Sequence, residues 1–232
     1  MKITDVKVLI TCPGRNYVLL KIETDQPGLY GWGDATLNGR ELAVAAALRD
    51  HIAPLLIGRD PGRIEDTWQY LFRGTYWRGG PVLMTALAAV DLALWDIKGK
   101  VAGLPVYSLL GGPTRASAMA YRHCDGRDAQ EIADNIRAAQ ALGFKAFRAQ
   151  VDVPSTSSFP NTTWVDRTTY SQPFEDAPYL RAIPALFEYL RQELGDEPLI
   201  LHDVHERLTP IQASQLAGAL EAYHPLFLED PI

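Results

Sequence analysis

Two stretches, LHDVH at residues 201–205 and LFLED at residues 226–230, carry the strongest signal for the architecture of this chain. Each is a short apolar run that ends in carboxylates, a pattern typical of a buried parallel strand with its acidic end at the rim of a sheet. Residues 209–223, which lie between them, have the pattern of one amphipathic helix, so the three segments predict a βαβ unit. Asp203 and Glu229 would then lie at neighbouring strand ends, where two carboxylates can share one Mg²⁺.

Two histidines accompany the first acidic strand end. His205 follows Asp203 by two residues, so on a continuous strand both side chains would point to the same face. The imidazole would then be placed to move a proton to or from a substrate. The alternative is that His202 and His205 are loop histidines that are hydrogen-bonded at the end of a strand.

Basic side chains end two earlier predicted strands. Arg148 and His123 come at the position where the active sites of (β/α)8 barrels lie. A buried arginine there needs an anionic partner. A substrate carboxylate would serve, and so would a structural ion pair with Asp152.

The chain changes its pattern near residue 113. Strands at 3–10, 17–24 and 28–34 predict an antiparallel meander, followed by helices at 41–51, 64–72 and 82–100. Beyond it we expect strands at 116–123 and 145–150, the two acidic strands, helices at 129–142, 177–194 and 209–223, and a polar insertion at 153–173. Alternating strands and helices are typical of a parallel sheet.

The fold class that we expect is therefore α/β with an α+β cap. Residues 1–113 would form the α+β domain, and residues 114–232 the first half of a (β/α)8 (TIM) barrel. A complete barrel needs about 250 residues. Because an isolated half barrel would expose two strand edges, we expect the chain to be the N-terminal portion of a larger enzyme.

Composition excludes several classes of protein. The 232 residues include 22 basic and 28 acidic side chains, and the net charge of −6 argues against a nucleic-acid partner. The apolar helix around residues 84–95 carries Asp91 and is expected to be too short to span a membrane. Two separate cysteines, Cys12 and Cys124, and a charged N-terminus predict a cytoplasmic protein without a disulfide framework.

Two loops and a glycine-rich strand carry weaker signals. The polar loops at 34–40 and 74–81 suit either lids over a pocket or ordinary surface turns. Gly28, Gly31 and Gly33 do not form the G-x-G-x-x-G pattern ahead of a helix, which excludes a dinucleotide site of that kind.

Longer motifs carry a family resemblance. The stretches AAVDLALWDIKGK (88–100), GLP (103–105) and LLGG (109–112) resemble the capping-domain signature of the enolase superfamily, in its mandelate racemase/muconate lactonizing enzyme-like branch. The stretches ITCPGRN (10–16), GDATLNGRE (33–41) and YWR (76–78) are similar to the mannonate dehydratase group. The resemblance implies an enolase-like N-terminal capping domain on a (β/α)8 barrel. It also implies Mg²⁺-dependent dehydration of a sugar acid to a 2-keto-3-deoxy acid.

The resemblance also implies a role for individual positions. It makes Asp203 and Glu229 metal ligands, His205 the acid that assists loss of the hydroxyl, Arg148 the partner of the general base, and Asn38 and His123 substrate-binding residues. A third metal carboxylate would lie one βα unit beyond Glu229. The implied partner is a small sugar acid, and the full-length protein is expected to form a homo-oligomer.

One expected residue is missing from the pattern. In the family that the chain resembles, the general base is a Tyr soon after a Val-Pro pair, but Val153-Pro154 is followed here by STSSFP at 155–160. Tyr170 comes about ten residues later and would need a rearranged loop. Two alternatives therefore stay open: another enolase-superfamily reaction, such as racemisation or dehydration of a different sugar acid, or a catalytically inactive relative that binds a sugar acid or a regulatory partner. We expect no dehydratase activity from the 232-residue chain itself.

Overall fold

The computed structural model describes residues 1–151 and 174–232, and these form two compact units. The first unit is Met1–Ala116, and the second begins at Ser117. The predicted insertion at 153–173 lies outside the described residues, as do Asp152 and Tyr170.

The first unit contains the predicted antiparallel meander. Its strands are β1 (Ile3–Thr11), β2 (Tyr17–Thr24) and β3 (Tyr30–Asp34), paired in the order β1-β2-β3. Along β2 the buried side chains alternate with partly exposed ones. One face of the sheet therefore packs on the core of this unit, as the alternation in the sequence predicts.

Helical segments follow β3, and some of them cover that face. They are α1 (Glu41–Ala46), a π-helical segment (Ala47–Ile52), α2 (Ala53–Leu56), α3 (Ile64–Arg73), α4 (Gly80–Ala102) and α5 (Val106–Leu109). The predicted helix at 41–51 is thus longer than expected and changes its hydrogen-bonding pattern in the middle. Pro54 lies in the first turn of α2, where its missing N–H is tolerated.

The glycines of β3 allow the strand to lie directly on α4. A Cβ atom at Gly31 would be 1.9 Å from the carbonyl oxygen of Ala93, and one at Gly33 would be 1.9 Å from that of Ala89. No side chain fits at such a distance, so the two backbones can approach only where glycine is present. The glycine-rich strand therefore has a packing role.

Helix α4 corrects one expectation. It runs for 23 residues, Gly80–Ala102, so the prediction that this helix is too short to span a membrane was wrong. By length and composition alone it could cross a bilayer, and it is the single helix of the described ranges that could. Its buried side chains, which include Leu87, Val90, Leu94 and Ile97, belong to the hydrophobic core of the first unit.

The second unit contains the predicted parallel sheet. Its strands are β4 (Tyr121–Gly126), β5 (Ala146–Val151), β6 (Leu199–Asp203) and β7 (Leu228–Glu229), in the order β4-β5-β6-β7. Strand β4 begins five residues later than the predicted 116–123, because pairing with β5 starts at Tyr121, opposite Ala146. That pairing continues to Gly126 and Val151, so His123 and Arg148 lie within their strands. The prediction that these two residues end their strands was wrong.

Helices α6 (Ala129–Ala141), α7 (Asp176–Leu194) and α8 (Pro210–Leu220) connect these strands, and a 3-10 turn, Glu221–Tyr223, follows α8. Asp128 caps α6 by accepting a hydrogen bond from the Glu131 N–H, and Thr209 and Gln212 form a capping box on α8. The apolar faces of these helices form a core with one face of the sheet, to which Phe147 and Ile200 contribute. The other face is left for polar side chains.

Candidate functional site

Register places most of the predicted site residues on one face of the parallel sheet. Arg148 pairs with His123 on β4 and with Leu201 on β6, and Asp203 pairs with Glu229 on β7. Paired residues of parallel strands point to the same side, and so do residues two apart on one strand. His123, Arg148, Asp203 and Glu229 therefore share a face, opposite the one that packs on the helices.

The centre of this face is a buried ion pair. Arg148 Nη1 lies 2.8 Å from Asp203 Oδ2, and the two side chains are 11% and 7% exposed. A second carboxylate, Asp125, approaches Arg148 Nη2 at 3.5 Å, while the buried Arg148 Nε has no hydrogen-bond partner in the described part of the chain. The arginine thus neutralises Asp203 before any other ligand binds.

His205 reaches the same carboxylate by a different route from the one predicted. Strand β6 ends at Asp203, and His205 has φ = +58°, so the two residues do not lie on one continuous strand. The chain turns back instead: His205 donates its N–H to Asp203 Oδ1 at 3.2 Å, and its Nε2 lies 2.8 Å from Asp203 Oδ2. Residues after β6 and β7 stabilise the turn, since the Glu206 N–H donates to the Asp230 carbonyl at 2.7 Å. The left-handed conformation of a residue other than glycine is uncommon and is concentrated at functional sites.

Glu229 has a partner that the sequence analysis missed. The Tyr121 hydroxyl lies 3.0 and 3.1 Å from the two carboxylate oxygens of Glu229. Tyr121 is on β4 and Glu229 on β7, at opposite edges of the four-stranded sheet. In a flat sheet three interstrand steps would separate these strands by about 14 Å, so the bond requires a strongly curved sheet with the site on its concave face. The signal in the sequence was the position of Tyr121, two residues before His123.

Burial and the charged groups of this face act on the pKa of His123. Burial lowers the pKa of His123, and the charge of Arg148 lowers it further, while Asp125, Glu229 and Asp203 act in the opposite direction. The ring of His123 stacks on Tyr121 with centroids 5.6 Å apart. His123 is thereby placed among the charged groups of the site.

His202 belongs to the opposite face. It lies within β6 and is fully buried, so the loop-histidine alternative is wrong for His202, whereas His205 does lie in the loop after the strand. Its Nδ1 lies 2.8 Å from the Ala149 carbonyl oxygen and its Nε2 lies 2.7 Å from the Tyr179 hydroxyl. Burial lowers the pKa of His202 to about 4, and a neutral ring with the proton on Nδ1 satisfies both contacts.

Side chains continue the connection between β5 and β6 where the backbone pairing stops. The register between these strands ends at Arg148 and Leu201. Beyond it, His202 contacts Ala149 on one face, and Gln150 Nε2 donates to the Asp203 carbonyl at 2.9 Å on the other. These two contacts support the strand end that carries Asp203.

Asn38 lies in the first unit. It is exposed in the loop that follows β3, and its Oδ1 accepts a hydrogen bond from Arg15 Nη2 at 3.0 Å. The structure describes this contact within its own unit and does not test a substrate-binding role.

The carboxylates on this face provide part of a binding site for a hard cation. Two carboxylates, Asp203 and Glu229, lie side by side at paired positions, and Mg²⁺ is commonly bound through one or two carboxylates with water and substrate oxygens. Among the residues that the structure describes, no group of three His, Cys, Asp or Glu side chains is arranged to hold a metal ion. Asp203 keeps acceptor capacity beside Arg148 and His205, because a carboxylate has about four lone-pair positions. The pair therefore fits as part of a Mg²⁺ site.

An antiparallel α+β unit followed by a parallel β/α sheet with acidic strand ends defines a class of barrel enzyme with a capping domain. The family model for the mandelate racemase/muconate lactonizing enzyme N-terminal domain matches residues 6–111. A D-mannonate dehydratase of Sphingomonas sp. (strain SKA58) is 55% identical over 99% of this chain and 59% of its own length. A D-mannonate dehydratase of Caulobacter sp. (strain K31) is 53% identical over 100% of this chain and 59% of its own length.

A solved structure agrees with these relatives. The crystal structure of an enolase from Pantoea ananatis with bound D-gluconate and Mg matches with a TM-score of 0.85 and 44% identity, over 100% of this chain and 60% of that one. The chain belongs to the enolase superfamily and carries the N-terminal portion of that fold. It spans about three fifths of the length of the relatives that it matches. The predicted fold class, a capping domain followed by an incomplete barrel, is confirmed.

Proposed function

We propose that the chain is part of a Mg²⁺-dependent sugar-acid dehydratase of the mannonate dehydratase group. The observation that carries the proposal is the cluster on the concave face: paired Asp203 and Glu229, with Arg148 and His205 on the first carboxylate. The similarity to D-mannonate dehydratases supports the same reaction class.

Asp203 and Glu229 would hold the ion. When bound, Mg²⁺ supplies the positive charge that stabilises a substrate carboxylate as it gains electron density. Arg148 orients Asp203 from the other side through the 2.8 Å ion pair. The protein groups thus arrange negative oxygen ligands and one fixed cation on the same concave face.

His205 is the proton donor in this proposal. It contacts Asp203 through Nε2 and its own N–H, and its side chain is 39% exposed. A partly exposed imidazole beside a carboxylate can hold a proton and release it to a departing hydroxyl. The loop expected to carry the base that removes the substrate's α-proton is 153–173, which lies outside the described residues.

A second substrate has support of its own. The similar enolase from Pantoea ananatis was crystallised with D-gluconate and Mg, and a relative from Marinomonas sp. (strain MWYL1), 51% identical, is a D-galactonate dehydratase family member. Because the base expected for mannonate is missing from the pattern, we propose gluconate or galactonate dehydration as the alternative to mannonate dehydration.

Two experiments test the proposal. Calorimetric titration of the product of the complete gene with Mg²⁺ should give one site that Glu229→Gln weakens strongly, and heat equal to the buffer control would refute the metal site. The product of the complete gene should then convert a panel of sugar acids, mannonate, gluconate and galactonate among them, to a 2-keto-3-deoxy acid. Product from none of them would favour the inactive binding relative.

A further inference from the structure

We infer that Tyr121 is a positioning residue that orients the Glu229 carboxylate for metal binding and joins it to His123. The inference rests on the proposed metal site and adds to it a residue that neither the sequence analysis nor the comparisons assign. Three features of the structure support it: the hydrogen bond, the short pairing of β7, and the ring stack.

The hydrogen bond is directed at a group that little else holds. Strand β7 is paired with β6 over two residues, Leu228 and Glu229 only. Among the described residues, the side-chain hydrogen-bond partner of this carboxylate is the Tyr121 hydroxyl, at 3.0 and 3.1 Å from its two oxygens. A glutamate has three rotatable side-chain bonds, so fixing it in advance removes an entropic cost from metal binding.

Tyr121 itself is well supported. Its ring stacks on that of His123, with ring centroids 5.6 Å apart and an interplanar angle of 13°. The ring of Phe227 lies nearly perpendicular to it, with centroids 6.4 Å apart. These rings come from β4 and from the residue before β7. A phenol held by two ring contacts can act as a rigid support for the carboxylate across the concave face.

The same geometry connects the two halves of the proposed site. Glu229 is a proposed metal ligand, and His123 is a proposed substrate-binding residue on the strand of Tyr121. A change in the tyrosine ring would move both groups, whereas loss of its hydroxyl would release Glu229 alone. The two effects can therefore be separated by substitution.

The test compares Tyr121→Phe with wild type by calorimetric Mg²⁺ titration of the product of the complete gene. The variant removes the hydroxyl and keeps the ring, so we expect about tenfold weaker Mg²⁺ binding, the lower end of what outer-shell partners contribute. The matched control is Tyr189→Phe, which removes a hydroxyl bonded to Gln130 on the helical side of the same unit and should leave the affinity unchanged.

A second readout distinguishes positioning from general damage. In the product of the complete gene, the lowered activity of Tyr121→Phe should recover at saturating Mg²⁺, because only the affinity for the ion is reduced. A wild-type affinity in Tyr121→Phe, or activity that excess Mg²⁺ does not restore, would overturn the inference while the proposed function stands. Absence of Mg²⁺ binding by the wild type would instead overturn the metal site.

Discussion

Arg148 and Asp203 form a buried ion pair, with Nη1 and Oδ2 2.8 Å apart, at the centre of the concave face. They come from neighbouring strands, yet they are not register partners: Arg148 pairs with Leu201, two residues before Asp203. The arginine therefore leans toward the carboxyl end of β6 and neutralises the residue proposed to bind the metal. A buried pair of this kind is costly to break, because one charge is left without compensation.

Replacing Asp203 should destabilise the second unit as well as remove a metal ligand. In Asp203→Asn the guanidinium of Arg148 remains buried, and Asp125, at 3.5 Å, is the carboxylate that it still contacts among the described residues. We expect the free energy of unfolding to fall by about 3 kcal/mol and Mg²⁺ binding to be lost. Urea unfolding followed by circular dichroism measures the first effect, and calorimetry measures the second.

The double variant Arg148→Met with Asp203→Asn provides the internal check. It removes the unpaired charge, so part of the lost stability should return while Mg²⁺ binding stays absent. Arg137→Met, which breaks exposed ion pairs with Asp134 and Glu193, should change stability little. Equal losses in Asp203→Asn and Arg137→Met would show that burial of the pair has no energetic weight.

His202 should make the stability of the protein depend on pH. Its folded pKa of about 4 is below the ordinary histidine value of 6.5. Between these values the unfolded chain binds a proton that the folded chain does not, so stability is complete above about pH 6.5 and falls as the pH is lowered toward 4. The loss should reach about 3 kcal/mol.

The comparison for this prediction is His202→Gln. A glutamine can donate to the Ala149 carbonyl and accept from Tyr179, but it does not titrate. Unfolding free energies of the two proteins, measured from pH 7 to pH 4.5, should diverge as the pH falls, with wild type losing more. Parallel curves would mean that His202 is not held neutral in the folded state.

The sequence predicted the parts of the fold that depend on local pattern. The apolar repeat of α4 and the alternation in β2 identified a helix and a strand, because periodicity reports which side of an element is buried. The acidic ends of β6 and β7 located the site for the same reason. Boundaries were less accurate: β4 begins at Tyr121, since its limits are set by pairing with β5 and not by its own residues.

Local sequence patterns did not predict the contacts that complete the candidate site. The Tyr121–Glu229 hydrogen bond joins residues 108 positions apart and exists because the sheet is curved. His205 was assigned to a continuous strand because a two-residue spacing predicts that geometry, whereas a left-handed turn places it against Asp203. The first contact is non-local, and the second depends on a backbone turn that the hydrogen bond from Glu206 to the distant Asp230 carbonyl stabilises, so the spacing of residue types predicts neither.

Alanine at the glycines of β3 should be strongly destabilising. In Gly31→Ala and Gly33→Ala the new methyl group would overlap a carbonyl oxygen of α4 at 1.9 Å, so strand and helix must separate. We expect a loss of about 3 kcal/mol of unfolding free energy in each. Gly218→Ala is the matched control: it lies in α8 with open space around its Cβ position, and it should be stabilising by up to about 1 kcal/mol.

Thermal or urea unfolding of the three variants tests this assignment. The prediction requires opposite signs in β3 and α8, because the same chemical change adds a methyl group in a tight contact in one place and into solvent in the other. A neutral Gly31→Ala would show that β3 does not lie on α4 as described.

Replacing His205 should reduce the rate of turnover more than it reduces metal binding. In His205→Gln the carboxylate of Asp203 remains, and so does its ion pair with Arg148, so Mg²⁺ affinity should stay within a few-fold of wild type. Loss of the proton donor should lower kcat by about 10²–10⁴-fold.

His224→Gln, at an exposed histidine after the 3-10 turn, is the control for His205→Gln and should leave both kcat and Mg²⁺ affinity unchanged. The measurement is kcat for the sugar acid that the product of the complete gene converts, with Mg²⁺ affinity measured on the same preparations. An unchanged kcat would remove His205 from proton transfer, and a parallel collapse of Mg²⁺ affinity would reassign it to holding Asp203.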